Sequence, residues 1–125
     1  MSLDDLKKIP YGKTSIELKN ISLAFGGVKA LTDVSFEIKK GEVFAIIGPN
    51  GAGKSSMLNV INGFYKPTSG VINFAGTDRN EMEPEFAAKS GIARTFQNIA
   101  LFRGMSTLDN LMTGRLLKQK QNFLM

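Results

Sequence analysis

The residues most able to do chemistry lie in one turn, Gly48 to Ser55, GPNGAGKS. They fit the pattern G-x-x-x-x-G-K-[ST], whose chemistry is the capture of a polyphosphate. Gly48, Gly51 and Gly53 allow positive backbone angles and leave no Cβ in the way, so main-chain N–H groups can surround an anion. Pro49, Asn50 and Ala52 complete the loop. Lys54 supplies a mobile cation for the outer phosphates, the Ser55 hydroxyl is placed to ligate a bridging Mg2+, and Ser56 adds a phosphate hydrogen bond. The bland alternative is a glycine-rich turn with a surface lysine, and it does not account for the flanking segments. The loop therefore reads as a cradle for a nucleoside triphosphate.

Such a loop needs a strand before it and a helix after it. Val43 to Ile47 is apolar without alternation, which predicts a strand buried on both faces of a mainly parallel sheet. Lys54 to Ile61 predicts a helix capped by Gly63, its free N–H groups and positive dipole end facing the anion. Upstream, residues 15–25, SIELKNISLAF, alternate apolar and polar with a slip at Asn20, the mark of a half-buried strand with a bulge. A Gly26-Gly27 turn leads to Val34, Phe36 and Ile38, an antiparallel partner ending in a turn at Lys40-Gly41. Downstream come a short strand, Val71 to Phe74, one or two helical turns in EPEFAAKSG ending at Gly91, and a short strand in IARTFQ. Ser106 and Asp109 then form a capping box for a helix striped by Leu108, Leu111, Met112 and Leu116 to about Lys118.

The chain has 125 residues and 42% hydrophobic content, enough for one core or part of one. It contains no cysteine and no histidine, which excludes disulfides, thiolate metal sites and imidazole proton shuttles. The net charge of +5 lies in the last third, where six basic residues face Asp109 alone. Those six are spread out and lack interleaved aromatics, so a solvated surface or a partner-facing one is preferred to a nucleic-acid surface. The N-terminus has no apolar targeting region, and no run approaches the roughly 18 apolar residues of a membrane helix, so the chain is expected in the cytosol.

The wording GPNGAGKSS after KKGEVFAIIG, preceded by two antiparallel strands and an aromatic-Gly-Gly, resembles the nucleotide-binding domain of an ABC-type ATPase. The fold class so implied is α/β, the N-terminal part of a RecA-like P-loop core with an antiparallel β subdomain. Residues 1–14 are then a leader or extension, and residues 15–125 a partial domain with the phosphate loop at 48–56, a glutamine loop near 97 and the start of a helical region at 106–125. The resemblance places the adenine-stacking aromatic at Phe25, with Val28 a weaker contact; by residue chemistry alone Phe25 reads as a core phenylalanine closing a strand. IARTFQNIALFRGMSTLDNL resembles the family's glutamine loop and puts the glutamine at Gln97, where its amide contacts Mg2+ and the attacking water. Otherwise Gln97 is an ordinary polar loop residue.

The same stretch is most like the ATP-binding subunits of branched-chain amino acid importers, the Liv group. That likeness implies a subunit on the inner face of the membrane that dimerises head to tail, closes on ATP and drives integral-membrane permease subunits. A periplasmic or extracellular binding protein feeds them, and no nucleic acid is involved. The sequence lacks LSGGQ, the aspartate–glutamate strand end and the switch histidine of the family. The chain stops on Phe123 and Leu124 before Met125 without a terminating signal, which suggests the N-terminal half of a longer protein. Alone it is expected to bind ATP without appreciable hydrolysis, and to self-associate or exchange elements over its open sheet edges. The competing readings are a naturally short regulator that binds nucleotide or permease without hydrolysis, and a soluble ABC ATPase of translation or DNA repair.

Overall fold

The computed structural model describes residues 7–49, 51, 53–95 and 101–113. They divide into two compact units, one ending at Ala93 and the other beginning at Arg94. The first unit is built on an antiparallel hairpin, β1 (Thr14–Phe25) and β2 (Val28–Lys39), twelve residues in each strand. To it are added β3 (Ser69–Phe74) and β4 (Thr77–Arg79), giving the order β2-β1-β3-β4. The hairpin is the antiparallel pair that the alternation predicts, and the sheet is the antiparallel β subdomain that the family resemblance implies.

The slip at Asn20 is a bulge with a clear purpose. Ile16 and Leu18 are buried on one face, and so are Ile21 and Leu23, although the second pair has the opposite parity. One extra residue between Leu18 and Ile21 keeps both pairs facing the core, where an uninterrupted strand would have turned the second pair to solvent. Asn20 takes a φ of 53° and Asp33 on the facing strand 50°. Side chains secure both. Asn20 Nδ2 donates to Asp33 Oδ1 at 2.7 Å, the Asn20 N–H to Ser35 Oγ at 2.8 Å, and the Asp33 N–H to Ser22 Oγ at 2.9 Å.

Helix α1 (Lys54–Ile61) has the predicted bounds and buries Met57 and Val60 against the sheet. Gly63 ends it at φ 89°, and a Cβ there would lie 2.6 Å from the Glu83 carbonyl carbon, so cap and close approach both demand glycine. Helix α2 (Pro84–Lys89) opens on proline at its first turn and carries a Glu85–Lys89 pair at 2.6 Å. That pairing holds the Glu85 carboxyl below its ordinary pKa, first through the hydrogen bond from Lys89 and then through its charge. Residues ahead of β1 lie along the end of β2: Lys40 Nζ donates to the Ile9 carbonyl at 2.7 Å and sits 5.2 Å from the Tyr11 ring centroid.

Two expected strands are not seen among the described residues. Val43 to Ile47 pairs with no strand among the described residues, and Val43 and Ile47 are almost fully exposed. A segment apolar on both faces needs a strand on either side, and the sheet described here runs through β1–β4 instead. Phe44 alone finds a ring, stacking on Phe36 at 5.0 Å and 21°. Ile92 to Thr95, the start of the second expected strand, also lacks pairing; Ile92 instead donates its N–H to the Ala87 carbonyl and packs on the core. Strand β4 was not expected, being three polar residues that pair with β3 across the Ala75-Gly76 turn.

In the second unit, α3 (Thr107–Thr113) starts as predicted, with the Asp109 N–H donating to Ser106 Oγ and that hydroxyl donating to Asp109 Oδ2. Leu108, Leu111 and Met112 stand exposed on it. Its expected continuation toward Lys118 lies outside the described residues. No helix among the described residues is long and apolar enough to cross a membrane.

The bulge yields a direct test. Asn20→Val places a β-branched residue in the left-handed region, costing about 1–2 kcal/mol, and deletes a side-chain hydrogen bond worth about 1 kcal/mol more. Urea denaturation followed by circular dichroism should show that combined loss, and Asn20→Gly should recover part of it.

Candidate functional site

The loop that comes after Ile47 approaches the hairpin closely at Gly53. Gly53, the residue before α1, has φ 89° and ψ 6°. A Cβ on it would lie 2.8 Å from both the Ala30 carbonyl oxygen and Leu31 Cδ2. Only glycine accepts both the angle and the distance, and the result is that the first turn of α1 is held against the start of β2. Gly51 shares the positive φ, at 86°. Gly48 has another role: its carbonyl accepts a short hydrogen bond from Lys54 Nζ, which folds the lysine back along the loop.

The N-terminus of α1 is open to an anion. No side chain caps it and its first turn carries no acidic residue, so its leading N–H groups and dipole end are not answered from within the helix. A cavity of about 350 Å³ lies there, lined by Val28, Lys29 and Ala30 on one side and by Gly51, Gly53 and Lys54–Ser56 on the other. Two lysines and two hydroxyls line it, and no carboxylate is among its lining residues. That is the electrostatic signature of an anion site rather than of a metal cage. In agreement, no group of three His, Cys, Asp or Glu among the described residues could hold a metal ion; a divalent cation would be held by Ser55 Oγ together with the oxygens of its own anion.

Of the residues singled out from the sequence, Val28 lies in the cavity wall and faces Phe25 across the hairpin tip, where Gly26 makes the turn at φ 58°. Phe25 is half exposed rather than sealed in the core, and its ring meets that of Tyr65 edge-on at 5.0 Å. Pro49 is exposed. Asn50, Ala52 and Gln97 lie outside the described residues. Lys29 was not singled out from the sequence; a lone lysine on an alternating strand looks like any solvated position, and only the approach of α1 to β2 puts it in the cavity.

The sequence pattern of the ABC transporter family matches residues 31–124. The chain is 36% identical over 109 residues to BraF, the high-affinity branched-chain amino acid transport ATP-binding protein of Pseudomonas aeruginosa, an alignment covering 87% of this chain and 43% of that protein. It is 41% identical over 109 residues to the ribose import ATP-binding protein RbsA of Bacillus licheniformis, covering 87% and 22%. A solved dimeric ATP-binding cassette in a post-hydrolysis state, bound to ADP and Pi, superposes with a TM-score of 0.70 at 31% identity, over 85% of this chain and 49% of that one. The chain thus spans less than half the length of each. Because the matched span takes in most of β2, the phosphate loop, α1 and everything after them, the chain belongs to the ABC transporter family.

Proposed function

We propose that this chain carries the ATP-binding face of an importer subunit, coupling ATP binding and hydrolysis to transport through a membrane permease. The observation that carries the reading is the cavity at the uncapped end of α1, with Lys54, Ser55 and Ser56 on one wall and the tip of the hairpin on the other. In this reading the main-chain N–H groups of the loop, Pro49 having none, cradle the phosphates, and Lys54 leaves the Gly48 carbonyl to pair with the outer ones. Ser55 would hold a Mg2+ ion, which would supply charge neutralisation for the phosphates, and Ser56 adds a hydrogen bond. Phe25 offers its open ring face to adenine and Val28 its methyl groups. Gln97 is assigned to Mg2+ and the attacking water by its place in RTFQN.

The groups that would complete hydrolysis in the family, LSGGQ and the switch histidine, do not occur in this sequence. We therefore assign these 125 residues nucleotide binding without appreciable turnover. A second copy or subunit would close over the nucleotide, as the dimeric form of the related cassette with ADP and Pi suggests. Permease subunits, and through them a periplasmic or extracellular binding protein, complete the assembly at the inner membrane face. Branched-chain amino acids are the favoured cargo because BraF carries that name and the RTFQN stretch resembles its group. The ribose importer relative, at 41% identity, favours sugar import as the second reading.

Calorimetric titration with MgATP tests the site. Lys54→Ala should weaken binding about ten- to a hundredfold, the worth of a charge-assisted hydrogen bond, and unchanged affinity would remove the phosphate-loop assignment. Gly53→Ala should lower both stability and ATP affinity, since its Cβ strikes the Ala30 carbonyl at 2.8 Å and α1 must withdraw from β2. Retention of both properties in that variant would sink the proposed seating of the loop.

A further inference from the structure

An aromatic ring at a hairpin tip, half exposed as Phe25 is, would ordinarily sample several side-chain rotamers. Here it has a neighbour. The Tyr65 ring lies 5.0 Å from it, centroid to centroid, with the two planes at 73°. A perpendicular pair leaves at least one face of Phe25 clear of Tyr65, whichever ring presents its edge.

Tyr65 is itself anchored. It packs against the core, and its N–H donates to the Asn59 carbonyl at 3.0 Å. Three residues further, the Thr68 N–H donates to the Ser22 carbonyl at 2.8 Å, and Thr68 Oγ1 accepts from the Ala24 N–H at 3.0 Å. The loop leaving α1 is therefore fastened to the last four residues of β1. One eight-residue helix carries Lys54–Ser56 at its first turn and, at the other end, the loop that bears on Phe25.

We propose that Tyr65 is a positioning residue for the nucleobase, holding the Phe25 ring at the angle and distance from the phosphate loop that the base of a bound triphosphate requires. The proposal rests on the reading of Phe25 as the stacking platform. It makes α1 and its trailing loop a rigid spacer between the two ends of the ligand. The hydroxyl of Tyr65 does not enter, only its ring.

The test compares MgATP with magnesium tripolyphosphate, which presents phosphates but no base, by calorimetric titration of the 125-residue chain. Tyr65→Ala should weaken ATP about three- to tenfold, the range of an aromatic pair contact, while tripolyphosphate changes by less than about twofold. Tyr65→Leu, which fills much of the same space without a ring, should show the same selective loss at an unchanged thermal midpoint. Tyr65→Phe should retain ATP affinity. Equal weakening of both ligands in the Ala and Leu variants would overturn the proposal in favour of a purely structural role, and so would no weakening of either. Phe25→Ala separates the two levels. If it leaves the ratio of the two affinities unchanged, base stacking itself fails and the proposal with it; if it shifts the ratio while Tyr65→Ala and Tyr65→Leu do not, the proposal alone is overturned.

Discussion

The first unit depends on the contact between Gly53 and the Ala30–Leu31 backbone and side chain, because that contact brings the phosphate loop to the sheet. The segment leading into the loop has no strand partner among the described residues, so it cannot by itself orient the loop or α1. Burial of Met57 and Val60 fixes the rotation of α1, and the missing Cβ of Gly53 lets its first turn approach β2 to within contact distance. Were that turn to stand off by the width of a methyl group, Val28–Ala30 would cease to wall the cavity. The cost of this seating is that Lys29 and Lys54 share a cavity lined by no carboxylate. Positive charge without a lining carboxylate is offset when an anion enters.

The hairpin that receives the helix is stable for reasons of its own. Its core face is continuous from Ile16 to Leu23 only because of the bulge at Asn20, and three side-chain hydrogen bonds hold the two strained residues there. The loop after α1 then fastens the far end of β1 through Thr68. Sheet, helix and loop thus form a closed circuit beside Phe25. The segment 43–47 stands outside that circuit. Its exposed Val43 and Ile47 carry apolar surface of a kind that folded domains ordinarily cover, and relatives more than twice as long as this chain share its matched region.

What could be read in advance divides by range. The bulge at Asn20, the bounds of α1, the Gly63 cap and the Ser106–Asp109 capping box are local events. Each arises from a few neighbouring residues whose backbone angles and hydrogen bonds leave few alternatives, and each appears where the pattern puts it. The phosphate motif is legible for the same reason, since its chemistry is written in consecutive residues. Strand β4 was not legible, because its three polar residues pair only by virtue of the turn that returns them to β3.

Pairing and proximity belong to the tertiary structure. A run such as Val43 to Ile47 states that it can be buried on both sides, but a strand exists only when other strands supply its hydrogen bonds, and none among the described residues does. Likewise no local rule joins Lys29 to Lys54, or Tyr65 to Phe25, across 25 and 40 positions of sequence. The sequence by itself determined that a loop of the pattern G-x-x-x-x-G-K-[ST] sits between a hairpin and a helix. The packing of α1 on β2 decided which other side chains share its cavity, because that depends on where a Cβ is absent and where apolar faces meet.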